Sequence, residues 1–522
     1  MSTTAREPDA PTPARGGASV TPWLALGAIV VLAAVLRFAT LRTQSIWFDE
    51  AATWDLVRRP FGEMLGRIPD GESNPPLFYV LEWGWTRVFG DGEAGLRSLS
   101  ALAGLLMVPV AYAIARRAAS GVARAGLAAA ALVAVNPLLV WFSQEARSYA
   151  LATLLAAVAL LLSLHALDDR RGRWLAGWAV VAALALATHY FTAFVLAPQA
   201  LWLLWRHPHR RGATAAVAAL TAAGLALLPL LLAQAGNPYD IAGTSIALRL
   251  VQVPKQFLLG YRGPLALPLG LLEALLVAGG GWLLLRRTPR DARDRALLLA
   301  GIGAVGVALP LLAALVGADY VNTRNLLPAL IPLLAALAVG YGASSVPRTG
   351  AGLLVALCGL SLAIVVAVAS DSQYQRQDWK GLAHALDRTD ATRALVVSPA
   401  NGELALRYYL PGIRTMGPEG AAVGGRRGRR RRLARSRQGA GAARAGRQRA
   451  RRGRLRVGAG DEDLYVRHPA LPGRGQHGRA GGAHAARRIA LRSAVSVGRR
   501  VARRALTRSS GLSAGTASTG WC

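Results

Sequence analysis

Eleven apolar stretches occupy most of the first 370 residues, and they limit what the chain can become more than any other feature. They fall at 22–41, 98–115, 125–142, 148–167, 174–190, 191–205, 213–235, 264–285, 296–316, 326–345 and 350–369. Most reach the roughly 17–25 residues a helix needs to cross about 30 Å of hydrocarbon. Inside a bilayer, only helices and closed barrels satisfy their own backbone. The expected fold is an all-α polytopic membrane protein with about eleven transmembrane helices. The stretch 191–205 is short, so the fifth and sixth are expected to form a tight hairpin around Thr188-His189-Tyr190. The first stretch is too long for a signal peptide, lacks a small-residue cleavage site and precedes many more spans, so it reads as a membrane helix.

Loop charge sets the orientation, because arginine-rich short loops stay cytoplasmic. One set of loops carries Arg116, Arg117 and Arg124; Arg170, Arg171 and Arg173; Arg206, Arg210 and Arg211; and Arg286, Arg287, Arg290, Arg293 and Arg295. The opposite short loops carry little beyond Arg147 and Arg324. The first set and the N-terminus (1–21, a disordered leader) are expected in the cytoplasm. The odd span count then places loop 42–97, loop 236–263 and everything after 370 outside. This is the pattern of a multi-pass protein of a bacterial plasma membrane.

The net charge of +33 looks at first like the mark of a nucleic-acid binder. It is concentrated, however. Residues 421–522 hold 26 arginines, no lysine and three acids, a net +23 that leaves only +10 for residues 1–420. This Arg/Gly/Ala-rich low-complexity tail has almost no apolar periodicity. It reads either as a basic disordered tail for anionic lipid or nucleic acid, or as a segment outside the native reading frame. Ahead of it, 370–420 begins a partial extracytoplasmic α/β segment: a helix over 378–386, a buried strand over 393–398 and a second helix over 403–410. Such a helix–strand–helix is too small to bury a core alone. Two cysteines, Cys358 and Cys522, exclude a disulfide framework and a cysteine-based metal site.

The transmembrane region 22–369 carries its chemistry in the outer loop 42–97. That loop holds nine of the 34 aromatics, including Trp47, Phe48, Trp83 and Trp85, and is expected to lie on the membrane surface as short amphipathic helices. Asn74-Pro75-Pro76 sets the start of one at 77–89. Just after the first span comes Ile46-Trp47-Phe48-Asp49-Glu50-Ala51. Partial desolvation turns such a carboxylate into a usable general base, and a transferase acting on a hydroxyl needs one. The plainer reading has Asp49 capping a helix that starts at Glu50. Arg147 and Glu145, in Ser143-Gln144-Glu145-Ala146-Arg147-Ser148-Tyr149, suit a phosphate contact and its orienting partner, or an ordinary interface ion pair. Arg324 offers bidentate donation to a phosphate, or snorkels at a helix end. Arg37 is a charge inside the first span, either functional or snorkelling outward. His189 has no partner ligands nearby and reads as a hydrogen-bonded structural residue rather than a metal ligand. No P-loop, dinucleotide fingerprint or metal cluster is legible, which leaves no confident cofactor; a divalent metal requirement stays open.

In these motifs the chain resembles bacterial membrane glycosyltransferases of the GT-C fold, of the glycosyltransferase family 39 type, a group that includes protein O-mannosyltransferases and lipid A aminoarabinose transferases. The resemblance spans about 22–411. It rests on Trp47-Phe48-Asp49-Glu50, Asn74-Pro75-Pro76-Leu77-Phe78-Tyr79, Phe89-Gly90 with Gly95-Leu96-Arg97-Ser98-Leu99-Ser100, Ser143 to Tyr149, Thr188-His189-Tyr190 and Arg324-Asn325-Leu326-Leu327-Pro328, in that order. It implies transfer of a sugar, a mannose-like hexose or a pentose, from a polyprenyl-phosphate donor to a hydroxyl acceptor on the outer face, with inversion. Asp49 is then the implied base, Glu50 the second member of its pair, and Arg147 and Arg324 the donor-phosphate contacts. Glu145, Tyr149, Asn74, His189 and Arg37 are implied as support. The partners are the lipid-linked donor, membrane lipids and a protein, glycan or glycolipid acceptor, with no nucleic acid expected. Asn74 departs from the aminoarabinose enzymes, which carry a carboxylate there, and this counts against an aminoarabinose donor. The competing class is a multi-span transporter or flippase of lipid-linked substrates, which internal repeats or broken helices with midplane charges would mark. No repeat is visible. Truncation after residue 420 is expected to leave membrane insertion and activity unchanged; a loss of either, measured in the membrane fraction, would give the tail a role.

Overall fold

The computed structural model describes residues 21–169, 172–235, 245–387, 402–411, 456–457 and 464–465. The described part is helical apart from one pair of two-residue strands. The order is α1 (Thr21–Phe38), α2 (Phe48–Val57), α3 (Phe61–Gly71), α4 (Leu77–Phe89), α5 (Glu93–Ala118), α6 (Ala123–Val135), α7 (Pro137–Ser143), α8 (Tyr149–Asp168) and α9 (Gly172–Thr188). Then follow α10 (Ala193–Arg206), α11 (Arg210–Gln234), α12 (Ile246–Leu259), α13 (Ala266–Arg287), α14 (Arg290–Leu315), α15 (Leu327–Ala343), α16 (Pro347–Ser370), α17 (Trp379–Asp387) and α18 (Gly402–Tyr409). Residues 456–457 and 464–465 belong to a separate unit and pair antiparallel, Arg456 opposite Tyr465.

Each of the eleven apolar stretches is helical. Among the described residues, eight helices are long and apolar enough to cross a membrane, and nine spans result if the bent pair α6–α7 counts as one. The other two stretches became α9 and α10, at 17 and 14 residues shorter than a full span. The fold is that of an all-α polytopic membrane protein. Helices 378–386 and 403–410 appear as α17 and α18, whereas the expected strand 393–398 lies outside the described residues, as does almost all of the tail.

The helices sort by how much of their surface other helices cover. α15 is nearly all buried, with α5, α6, α8 and α14 against it, while α1, α11, α13 and α16 turn most of their apolar side chains outward. Lipid tails are as apolar as leucine, so helices here associate through close packing and small residues. A Cβ at Gly342 of α15 would collide with the backbone of Ala125 in α6. A Cβ at Gly104 of α5 would collide with Ser143 at the end of α7.

The bend between α6 and α7 is 59° and has an identifiable cause. Pro137 has no N–H, so the carbonyl of Val133, four residues earlier, loses its helical donor. Asn136 caps α7 by accepting from the Leu139 N–H at 3.0 Å, and its amide donates to the Phe257 carbonyl at 2.9 Å. Arg37 supplies what the break removes. Its guanidinium donates to the Val133 and Ala134 carbonyls, both at 2.9 Å, and is fully buried. A cation here also complements the negative end of the α6 dipole. Arg37 therefore does not snorkel to the outer surface; it closes a broken span.

Arg37→Met strands two buried carbonyls, at about 1–3 kcal/mol each. Thermal unfolding of the detergent-solubilised protein is expected to fall by several degrees, with part recovered in Arg37→Lys.

Candidate active site

Loop 42–97 folds as three short helices, α2 to α4, joined by proline turns. Pro60 precedes α3 and Pro75-Pro76 precede α4, which starts at Leu77 as the turn predicted. These helices lie over the start of α5, and α18 packs on α2 from the far end of the chain. Asp49 and Glu50 occupy the first turn of α2, where carboxylates suit the helix dipole. The helix begins at Phe48, however, and the residue before it, Trp47, makes no side-chain cap. The reading of Asp49 as an N-cap is thereby corrected.

Four carboxylates converge here, each on its own arginine. Glu50 accepts from Arg97 Nε at 2.7 Å and Nη2 at 2.6 Å, both side chains being buried. Arg97 also donates to the carbonyls of Leu41, Gln44 and Ser45, so it fixes the chain entering α2. Glu72 accepts from both terminal nitrogens of Arg147, at 3.2 and 3.0 Å. Tyr79 adds a hydrogen bond from its hydroxyl to Glu72 at 2.5 Å. Glu145 pairs with Arg376 at 2.8 Å. Asp49 pairs with Arg324 at 2.9 Å.

Arg147 does not pair with Glu145, its neighbour in sequence. The turn that follows α7 points the two side chains to different partners, and the Ala146 N–H between them donates to Glu50 at 3.0 Å. Exposure separates the four pairs. Three have side chains no more than 6% accessible, while Arg324 and Asp49 are 17% and 16% accessible. Only that pair is within reach of a ligand without unfolding anything.

The remaining expected residues surround it. Tyr149 packs between Phe142 and His189, and the Arg324 guanidinium lies 5.8 Å from its ring centre. Asn322 accepts from the Arg324 N–H and fixes the short 3-10 turn Thr323–Leu326. His189 accepts at Nδ1 from the Phe191 N–H at 3.3 Å. Burial, and then the charges of Arg324 and Arg147, push its imidazole down to about 3, so it is neutral at ordinary pH. Asn74 is buried and its carbonyl accepts from Gln234, tying the loop to the end of α11. Arg37 stands apart, at the α6–α7 break.

Burial alone would raise the Glu50 carboxyl. The Arg97 charge and hydrogen bonds, with smaller help from Arg376 and the Ala146 N–H, hold it below its ordinary value instead. Glu145 goes the other way: burial outweighs Arg376 and raises it. Among the described residues no group of three or more His, Cys, Asp or Glu is placed to hold a metal.

Sequence reasoning missed Arg97 as a charge partner, together with Glu72, Arg376 and Glu82. Arg97 lay inside one quoted motif and Glu72 just ahead of another, but nothing local in the sequence says that either pairs 47 or 75 residues away. Glu82 of α4 has no accessible surface, and neither of its oxygens has a hydrogen-bond partner. Burial, then the negative charge of Glu50, raises its carboxyl well above 4.5.

Residues 73–233 match the family model described as dolichyl-phosphate-mannose-protein mannosyltransferase. The resemblance drawn from the motifs spans about 22–411, so this match covers its middle, while the Asp49 and Arg324 segments lie outside it. Among solved structures, the chain is similar to ArnT from Cupriavidus metallidurans bound to undecaprenyl phosphate, at 16% identity and a TM-score of 0.49, over 76% of this chain and 85% of that one. It is also similar to the Archaeoglobus fulgidus oligosaccharyltransferase, at 16% identity and a TM-score of 0.41, over 74% of this chain and 57% of that one. A third is the S. cerevisiae protein O-mannosyltransferase Pmt1-Pmt2 complex bound to the sugar donor, at 19% identity and a TM-score of 0.33, over 42% and 34%. No curated protein matches the chain.

The Glu82 carboxyl gives a signed pH prediction. Its folded pKa lies above its unfolded value of 4.5, so its contribution is fully present below 4.5 and is lost as pH rises toward the folded pKa. The loss is about 1.4 kcal/mol per pH unit across that window. Glu82→Gln keeps the shape without the titration. It is expected to be neutral near pH 4.5 and increasingly stabilising as pH rises from there toward the folded pKa, measured by thermal unfolding across a pH series.

Proposed function

We propose that the chain is an integral-membrane glycosyltransferase of the GT-C type, moving a sugar from a polyprenyl-phosphate donor to a hydroxyl acceptor on the outer face. The observation that carries this reading is the Asp49–Arg324 pair, the accessible one of four carboxylate–arginine pairs in a water-poor site. The family match over 73–233, which begins inside the same outer loop, supports it. So does a cleft of about 290 Å³ whose lining includes Val35, Thr40, Trp141, Gln144, Tyr261 and Val366. Val35 and Val366 are both more than half exposed on outward-facing helices, so its apolar wall opens toward lipid. That suits a prenyl chain.

In this reading Asp49 is the general base. The acceptor hydroxyl oxygen forms a bond to the anomeric carbon while Asp49 takes its proton. The bond from that carbon to the phosphate oxygen breaks, and the electron pair leaves on the polyprenyl phosphate. Attack opposite the leaving group inverts the centre. Arg324 receives the phosphate charge, because a guanidinium matches phosphate oxygens in pairs. Arg147, paired through both terminal nitrogens with Glu72, holds the loop and adds positive potential. Glu50, locked on Arg97, fixes α2 rather than accepting a proton. The sugar is a mannose-like hexose or a pentose.

Asp49→Asn is expected to remove the gene-dependent envelope glycan or glycolipid, read by mass analysis, while the protein still accumulates and unfolds normally. Near-normal product would overturn the base assignment. Arg324→Gln is expected to weaken binding of undecaprenyl phosphate about tenfold or more, as the loss of a charge-assisted phosphate contact implies.

A further inference from the structure

The segment that follows the last membrane helix does more than lead out of the bilayer. The three residues 44–46, immediately ahead of the helix that carries Asp49, are held from that segment at every position. Gln44 Oε1 accepts from the Arg376 N–H at 3.1 Å. Ser45 Oγ donates to Asp378 at 3.0 Å and accepts from the Lys380 N–H at 3.1 Å. The Ile46 N–H donates to the Tyr409 hydroxyl at 2.7 Å, and that hydroxyl donates onward to Glu93 at 2.6 Å. Lys380 reaches the same Glu93 at 3.1 Å.

Arg376 also crosses to the other side of the site. It pairs with Glu145 at 2.8 Å, and its guanidinium lies 4.4 Å over the Trp141 ring of α7. Its own side chain is 5% accessible, a burial that needs a partner and finds two. α18 packs along α2 itself, with the Tyr408 ring 5.2 Å from Trp54 and with Ala405 and Leu406 buried. Gly381 lets this strand of chain close up, because a Cβ there would collide with the Asp378 carboxylate that holds Ser45.

We infer that the described residues 376–387 and 402–409 form a latch that sets the position of α2, with Arg376 and Tyr409 as positioning residues for the Asp49–Arg324 pair. The latch adds a second tie between two arms of the site that already meet through the Ala146 N–H on Glu50. Arg376 ties the Glu145 turn to Gln44, and Tyr409 fixes the last peptide before Trp47. A shift of about 1 Å in a reacting group is enough to cost roughly a hundredfold in rate. The segment therefore acts on turnover without touching the donor. The inference rests on the reading of Asp49 as the base, but its geometric half does not.

Tyr409→Phe tests it, since only the hydroxyl is lost. Two measurements on the full chain in detergent accompany the cell assay: hydrogen exchange of the peptide covering 41–50, and binding of undecaprenyl phosphate. The expected result is faster exchange at Ile46, unchanged binding of undecaprenyl phosphate, and Asp49-dependent product reduced roughly ten- to hundredfold. Arg376→Gln is expected to act alike, and Arg376→Lys, which keeps a charge beside Glu145, to recover most of the product. Because Arg376→Gln can destabilise the fold, Arg376→Gln with Glu145→Gln serves as its charge-balanced control and is expected to remain low in product. Unchanged exchange at Ile46 in Tyr409→Phe would overturn the latch. Faster exchange with full product would overturn its positioning role. Product that survives Asp49→Asn sinks the base assignment instead, and the exchange result then still decides whether the latch exists.

Discussion

Placing four carboxylates in one poorly hydrated site is the constraint around which this molecule is organised. Two like charges in a low dielectric repel strongly, and each unpaired one carries a large desolvation cost. The chain meets this with one arginine per carboxylate: Arg324, Arg97, Arg147 and Arg376 for Asp49, Glu50, Glu72 and Glu145. The partners come from α5, the α7–α8 turn, the turn before α15 and the segment after α16. Satisfying the charges therefore forces four distant parts of the chain to meet. Glu82 is the exception, a fifth buried acid whose oxygens have no hydrogen-bond partner and whose carboxyl burial raises well above 4.5.

The same logic operates inside the bilayer. A broken span is useful because it turns the backbone and its ends toward a site, but it strands carbonyls in hydrocarbon. Pro137 makes the break and Arg37, one span away, answers it with two hydrogen bonds. The 59° bend then carries Gln144 to Arg147 over the loop, where Ala146 meets Glu50 and Arg147 meets Glu72. A charge that looked like a ligand candidate is thus a structural device, yet the site depends on the direction it gives to α7.

Exposure gives these pairs different jobs. Glu50 with Arg97 is sealed, so it behaves as a fastener. Asp49 with Arg324 is the pair that water and ligand reach. In the proposed reaction the arginine exchanges a carboxylate for a phosphate as the donor arrives, and that exchange releases the base when a leaving group is in place. The neutral His189 beside Arg324 adds no competing charge.

Apolar periodicity and proline punctuation were enough to mark the eleven apolar stretches, the short helices of loop 42–97 and the start of α4 at Leu77. These are local properties, set by hydropathy and by backbone restrictions a few residues wide. The sequence also singled out Arg147 and Arg324, but it joined Arg147 to its neighbour Glu145. The tertiary structure decided the pairing, because ion pairs depend on which helix ends meet in space, and Arg147 finds Glu72 only once the loop is folded. It alone also decided that Arg37 closes a broken span, that Glu82 is buried without a hydrogen-bond partner, and that Arg376 and Tyr409 reach back across more than 300 residues to the first loop. Hydropathy along a chain determines which segments enter a membrane; which charge lies beside which is determined by packing, and no local pattern encodes it.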